Sequence, residues 1–163
     1  MRSFGFGRLS AVVFAAALTA CGGGGSDTSP RVAVNAIRVV GDSLADSGTF
    51  GFKFTVQGAA SLVYTERVAQ TYGLSLCPHY VATSAVSVVA DPRNAACGNF
   101  AVGGARINFP SAPTSPFSVL QQLRDAAAAG AYDSNELVLV DGGANDAADL
   151  IGAFLAIPTD GGA

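Results

Sequence analysis

Ile37-Arg38-Val39-Val40-Gly41-Asp42-Ser43 opens the organised part of this chain, and its reading decides the fold. With Val32–Val34 before it, the stretch is nearly continuously apolar and then stops at glycine, aspartate and serine. Loss of polar alternation marks a strand covered on both faces, as in a parallel sheet. The pattern recurs where Asn99–Val102 runs into Gly103-Gly104 and where Leu137–Val140 runs into Asp141-Gly142-Gly143. Helical stretches lie between. Ser61–Tyr72 carries Leu62, Val63, Val68 and Ala69 at helical spacing, with a stop at Gly73. Ser115-Pro116 predicts an N-cap and a first-turn proline. Phe117, Leu120, Leu123 and Ala127 follow as an apolar stripe up to Gly130, and Ala147–Ile157 predicts a last helix. Residues 44–60 and 108–115 read as loops, and 74–98 as an irregular excursion with a short hairpin. Strand alternating with helix predicts an α/β fold with a parallel sheet and right-handed crossovers.

In such sheets ligands sit beyond the carboxyl ends of the strands. Gly41-Asp42-Ser43, Gly103-Gly104 and Gly142-Gly143-Ala144-Asn145-Asp146 all occupy that position. Tight turns account for the glycines. They do not account for the serine and asparagine. Acyl transfer needs a nucleophile and donors for a developing oxyanion. Ser43 is the candidate nucleophile. The N–H groups of Ser43 and Gly104 and the amide of Asn145 are candidate donors. Asp42 and Asp146 read as supports or turn caps. Lys53 and Arg106 read as surface charges, and the remaining aromatics as core or loop anchors.

The chain has 163 residues, 50% hydrophobic and 13% charged, which excludes a disordered polyelectrolyte. Its net charge of −3 and lack of a basic patch exclude nucleic acid as a partner. One histidine and three cysteines leave no material for a metal site, and no cofactor motif occurs. Leu9–Ala20 is the longest apolar run, far short of the roughly 20 residues that span a bilayer. With Arg2 and Arg8 around its start, it predicts an export signal over 1–20. Leu18-Thr19-Ala20-Cys21-Gly22 resembles the bacterial lipobox, which makes Cys21 the expected lipidation site. The alternative is a plain secretory signal. Residues 21–31, rich in glycine and serine, read as a flexible tether. The anchor is then acyl chains, not a helix. Glycine in place of aspartate after the cysteine resembles the sorting pattern for the outer membrane. Export also favours a Cys77–Cys97 disulfide over two free thiols.

The three strand-end clusters resemble the GDSL esterase/lipase family, also called SGNH hydrolases. Gly41-Asp42-Ser43-Leu44-Ala45-Asp46-Ser47-Gly48 is similar to its first block. Asn99-Phe100-Ala101-Val102-Gly103-Gly104-Ala105 is similar to the second, and Gly143-Ala144-Asn145-Asp146 to the third. The leader and the Gly48–Gly58 phrase are closest to bacterial envelope esterases of this family. The resemblance covers roughly residues 37–157. It implies a flavodoxin-like three-layer fold and serine hydrolysis of lipid or acetyl esters, with Ser43 as nucleophile and Gly104 and Asn145 in the oxyanion hole. Gly41–Ala45 also approaches the GxSxG elbow of α/β-hydrolases. It ends in alanine, however, and follows the first strand rather than a later one.

The family's fourth block, an Asp-x-x-His that supplies the general base, has no counterpart here. His79 is the chain's one histidine, lies before the second block, and reads as a loop histidine. The expectation is therefore that residues 32–163 are the N-terminal part of an SGNH domain whose last strands and base are missing. The competing reading is a non-catalytic envelope lipoprotein that keeps the fold as a binding module. Acyl transfer in place of hydrolysis is a third.

Overall fold

The computed structural model describes residues 33–58 and 60–157. The expected leader, Cys21 and the tether lie outside the described residues.

The fold is mixed α/β. Its centre is a parallel pair of strands, β1 (Ala36–Val40) and β4 (Glu136–Val140), in register from Ala36 opposite Glu136 to Val40 opposite Val140. Three helices follow the expected positions: α1 (Tyr64–Thr71), α2 (Val119–Ala128) and α3 (Ala144–Leu155). The excursion holds the hairpin β2 (Tyr80–Ser84) and β3 (Ser87–Ala90), paired antiparallel.

β1 is buried on both faces because its side chains feed two cores. Ile37 and Val39 pack with Ala69 of α1, Ala45 and Ala101, beside Leu137 and Leu139 of β4. Val40 packs with Val119 and Ala126 of α2, together with Phe100, Val102 and Tyr80. One helix thus covers each face of β1. Arg38, which interrupts the apolar run, reaches out of both cores. Its Nε meets Glu136 Oε1 at 2.5 Å and Nη1 donates to Gly130 O at 2.8 Å, tying the strand pair to carbonyls at the end of α2.

Two elements differ from the sequence reading. Residues 99–102 run parallel to β1 but do not make a regular strand. Val39 N donates to Gly98 O (2.8 Å), Phe100 N to Val39 O (2.7 Å) and Val102 N to Gly41 O (3.1 Å). The ladder is interrupted because Gly41 N, which would donate next to Phe100 O, donates instead to Gln122 Oε1 at 2.7 Å, while the Asn99 side chain braces the opposite edge, with Oδ1 accepting from Ala101 N and Nδ2 donating to Ala45 O. Gly98 also lies so close to β1 that a Cβ there would fall 2.2 Å from Ile37 O. The second difference is the start of α2, at Val119 with Ser118 as its cap residue rather than at Ser115-Pro116. Arg106 pairs with the segment before the helix, with Arg106 N donating to Phe117 O and Val119 N to Arg106 O, both at 2.9 Å. That pairing holds Ser118 extended at φ −109° and ψ 123°. Tertiary pairing overrides the local proline signal here.

The expected Cys77–Cys97 disulfide is present, with its Cα atoms 5.1 Å apart. It joins segments that also pair through the backbone: His79 N donates to Asn99 O at 2.7 Å and Asn99 N to Cys77 O at 3.2 Å. No helix among the described residues is long and apolar enough to cross a membrane.

Candidate functional site

The three strand-end clusters meet on one rim because their strands are neighbours. The 98–102 segment flanks β1 on one side and β4 on the other, so the turns that follow all leave at the same end.

Ser43 sits in a single tight turn directly after β1. The turn is closed by Ala45 N and Asp46 N, which donate to Asp42 O at 3.1 and 3.0 Å. Below it, Gly41 is clamped by Gln122 of α2. Gln122 Oε1 accepts from Gly41 N at 2.7 Å, and its Nε2 donates to Gly41 O at 3.0 Å. Gln122 is fully buried. Its only sequence signal is a polar residue among Val119, Leu123 and Ala126 on the apolar side of the helix.

Gly104 occupies the turn after Val102, closed by Ala105 N donating to Val102 O at 3.0 Å. Its φ of +83° is a left-handed conformation that favours glycine. Asn145 lies in the first turn of α3, which starts at Ala144, three residues before the Ala147 start predicted from sequence. Its Nδ2 donates to Ala105 O at 2.8 Å, which places the amide beside the Gly104 turn and leaves its second N–H free of that bond. The first-turn amides of α3 face the same end and favour negative charge there.

The turns are braced to one another by side chains. Asp46, fully buried, accepts from Gly48 N (2.9 Å), Thr49 N (2.8 Å) and Gly103 N (2.9 Å). Asp146 accepts from Ile107 N at 3.0 Å. Arg106, read from sequence as a plain surface charge, forms a two-pronged pair with Asp149 and donates from Nη1 to Gly104 O at 3.1 Å. Lys53 is also engaged, with its Nζ 2.6 Å from Glu66 Oε2. The pairing had no sequence signal, because partners so far apart in the chain meet only after folding.

The electrostatic surroundings are acidic. Burial pushes the Asp42 carboxyl above its ordinary range, and the charges of Asp141 and Asp146 add to the effect. Its Oδ1 accepts from Leu44 N, while Oδ2 is buried without a partner. The Tyr64 hydroxyl is pushed up to about 12 by burial and then by the Asp141 carboxylate. For Asp42, a raised folded-state value means that the protonated form is favoured by folding. Its contribution to stability is complete below about pH 3.8 and is lost as pH rises through the raised value. Asp42→Asn keeps an oxygen for Leu44 N and cannot ionise. Its urea midpoint relative to the parent chain is expected to rise between pH 3.5 and pH 7. A constant difference across that window overturns this account.

His79 takes no part in the rim. It lies two strand spacings from β1, roughly 10 Å. Its ring stacks on Phe100 with centroids 4.2 Å apart, and Nδ1 is buried without a partner. Burial lowers its pKa, so the neutral ring is favoured. Among the described residues no cluster of histidine, cysteine and acidic side chains is arranged to hold a metal.

Two cavities adjoin the Phe50–Phe54 loop. One, of about 600 Å³, is lined by Ser47, Lys53, Gln57 and Pro78 and includes none of Ser43, Gly104 and Asn145. The other, of about 530 Å³, contains Gly104 in its wall. No protein-family model, no curated protein and no solved structure matches this chain with significance.

Proposed function

We propose that the rim is the nucleophile and oxyanion half of a serine ester hydrolase site of the SGNH kind, in an exported protein held to the outer membrane through Cys21. Ser43 is the nucleophile. The N–H groups of Ser43 and Gly104 and the amide of Asn145 are the oxyanion donors. The observation that carries this reading is the meeting of the three clusters. Ser43 follows β1, Gly104 follows the segment on one flank of β1, and Asn145 follows the strand on the other, with its amide bonded to the residue next to Gly104. The parallel strand pair, with a helix on each face of β1, is compatible with the flavodoxin-like three-layer fold that this reading expects.

The acidic surroundings favour a neutral carboxylic ester over an anionic substrate. Three uncharged donors then supply the stabilisation that a developing oxyanion needs. His79 is stacked against Phe100 on the far side of the 98–102 segment from β1, so it is not placed as the base of this reading. A serine hydroxyl without a base remains protonated. What is left is the rate that binding and the oxyanion donors supply on their own.

Hydrolysis of p-nitrophenyl butyrate by the full chain and by Ser43→Ala, with and without added imidazole as an external base, tests the reading. The expected result is a slow rate in the parent chain that imidazole raises and that Ser43→Ala lacks. Equal rates in the two proteins overturn it and leave the non-catalytic binding module. Membrane fractionation of Cys21→Ala tests the anchor. The variant is expected in the soluble fraction, and unchanged membrane association rules out lipidation at that residue.

A further inference from the structure

The sequence Phe50-Gly51-Phe52-Lys53-Phe54 alternates, and the structure separates the two sets of side chains. Lys53 turns toward α1, where its Nζ meets Glu66 and Ser61 O. The three phenylalanines pack on one another instead. Phe50 and Phe54 meet edge to face at 5.5 Å, and Phe52 and Phe54 at 4.8 Å. Phe50 packs against the core, but the other two rings are open. Phe52 is 55% exposed and Phe54 40%. Apolar surface gathered into one open patch, unlike scattered exposed side chains, marks a binding surface.

That patch is one wall of the 530 Å³ cavity, and the tip of the β2–β3 hairpin, residues 82–85, is the opposite wall. Gly103 and Gly104 close its end. No charged side chain lines it. The volume lies within the range of small-molecule pockets, about 300–1,000 Å³. The link to the rim is direct. The Phe54 ring lies on Gly103 so closely that a Cβ there would stand 2.1 Å from it. Phe54 is therefore seated on the residue next to the Gly104 donor.

We propose that this cavity receives the apolar acyl chain of the ester, with Phe52 and Phe54 as specificity-determining residues. The inference rests on the assignment of Ser43, Gly104 and Asn145 above and narrows it to acyl chains longer than acetyl. A carbonyl oxygen at the Gly104 amide directs the attached chain along the phenylalanine wall. The lining, charge-free and with side-chain hydroxyls only from Thr83 and Ser84, favours methylenes.

The test is isothermal titration of the full chain with butanamide, hexanamide and octanamide. These are neutral ester analogues that resist hydrolysis. Affinity is expected to rise about fourfold per added methylene, from about 0.8 kcal/mol per buried group. Phe52→Ala and Phe54→Ala are expected to weaken octanamide tenfold or more and to flatten the dependence on chain length. Ala85→Trp, at the exposed hairpin wall, fills the cavity without removing a core contact and is expected to weaken octanamide as well. Leu155→Ser, on the exposed side of α3, is expected to change nothing. Absence of chain-length dependence overturns the proposal, as does octanamide binding that ignores Phe52, Phe54 and Ala85 or is lost in Leu155→Ser. The outcome is separable from the hydrolase reading. Cavity binding with no Ser43-dependent hydrolysis sinks the hydrolase alone. Ser43-dependent hydrolysis with no cavity binding sinks the acyl pocket alone.

Discussion

Asp46→Ala is expected to lower the unfolding free energy by about 3–5 kcal/mol, because each buried amide left without its acceptor costs about 1–3 kcal/mol. Asp46 has no exposed surface and accepts from three amides, those of Gly48, Thr49 and Gly103. Two belong to the loop after Ser43 and one to the turn that carries Gly104. The carboxylate therefore sets the distance between the candidate nucleophile and the candidate oxyanion donor. Asp46→Asn is expected to fall between the parent chain and Asp46→Ala. Its one oxygen can serve Gly48 and Thr49, which leaves an NH₂ facing the Gly103 N–H. Urea denaturation of the three proteins reads the order. A loss below about 1 kcal/mol in Asp46→Ala contradicts this account. Any Ser43-dependent hydrolysis should fall along the same series.

Loss of the Cys77–Cys97 bridge is the second large effect. A cross-link across 20 residues restricts the unfolded chain enough to contribute about 3 kcal/mol. For a unit of this size that corresponds to a fall of about 10 °C in Tm. The bridge also holds together the 77–79 and 97–99 segments, whose backbone pairing places His79 against Phe100. Reductant is expected to lower the Tm of the parent chain to that of the Cys77→Ser/Cys97→Ser variant and to leave the variant where it is. The same Tm in oxidised parent and double variant overturns the estimate.

A contrasting feature of the fold is its bare side. Val138 and Val140 on β4 and Leu150, Ile151, Phe154 and Leu155 on α3 are all exposed. Among the described residues β4 pairs only with β1, so its other edge is open. An unpaired apolar edge invites association with other chains.

The strands and helices were legible because burial leaves a one-dimensional trace. Ile37, Val39 and Val40 are apolar where both faces of β1 are covered, Leu137 and Leu139 are apolar on the packed face of β4, and α1 stops at a glycine. The excursion at 74–98 was legible only as irregular, though its hairpin and disulfide were expected. Asn99–Val102 reads as a strand because its side chains are apolar. It is not a regular one, because Gln122 takes the Gly41 N–H that would continue its ladder with β1. Ser115-Pro116 reads as a helix start because the signal is local. The start moves to Val119 because Arg106 pairs across the chain. The exposed phenylalanine wall had a visible trace, the alternation of Phe50, Phe52 and Phe54. The sequence shows only that these residues alternate. It does not show which side of the loop faces a cavity.

By itself, the sequence determined the element types and the three strand-end turns. Each rests on contacts between near neighbours or on the burial of a continuous apolar run. Only the tertiary structure decided how those turns are held together. Asp46 on Gly103, Gln122 on Gly41, Asn145 on Ala105 and Arg106 on Asp149 join residues 40 to 81 positions apart. A polar side chain in a sequence does not declare its partner. It finds one only when the sheet brings distant turns to the same rim, where an unpaired buried group would be costly.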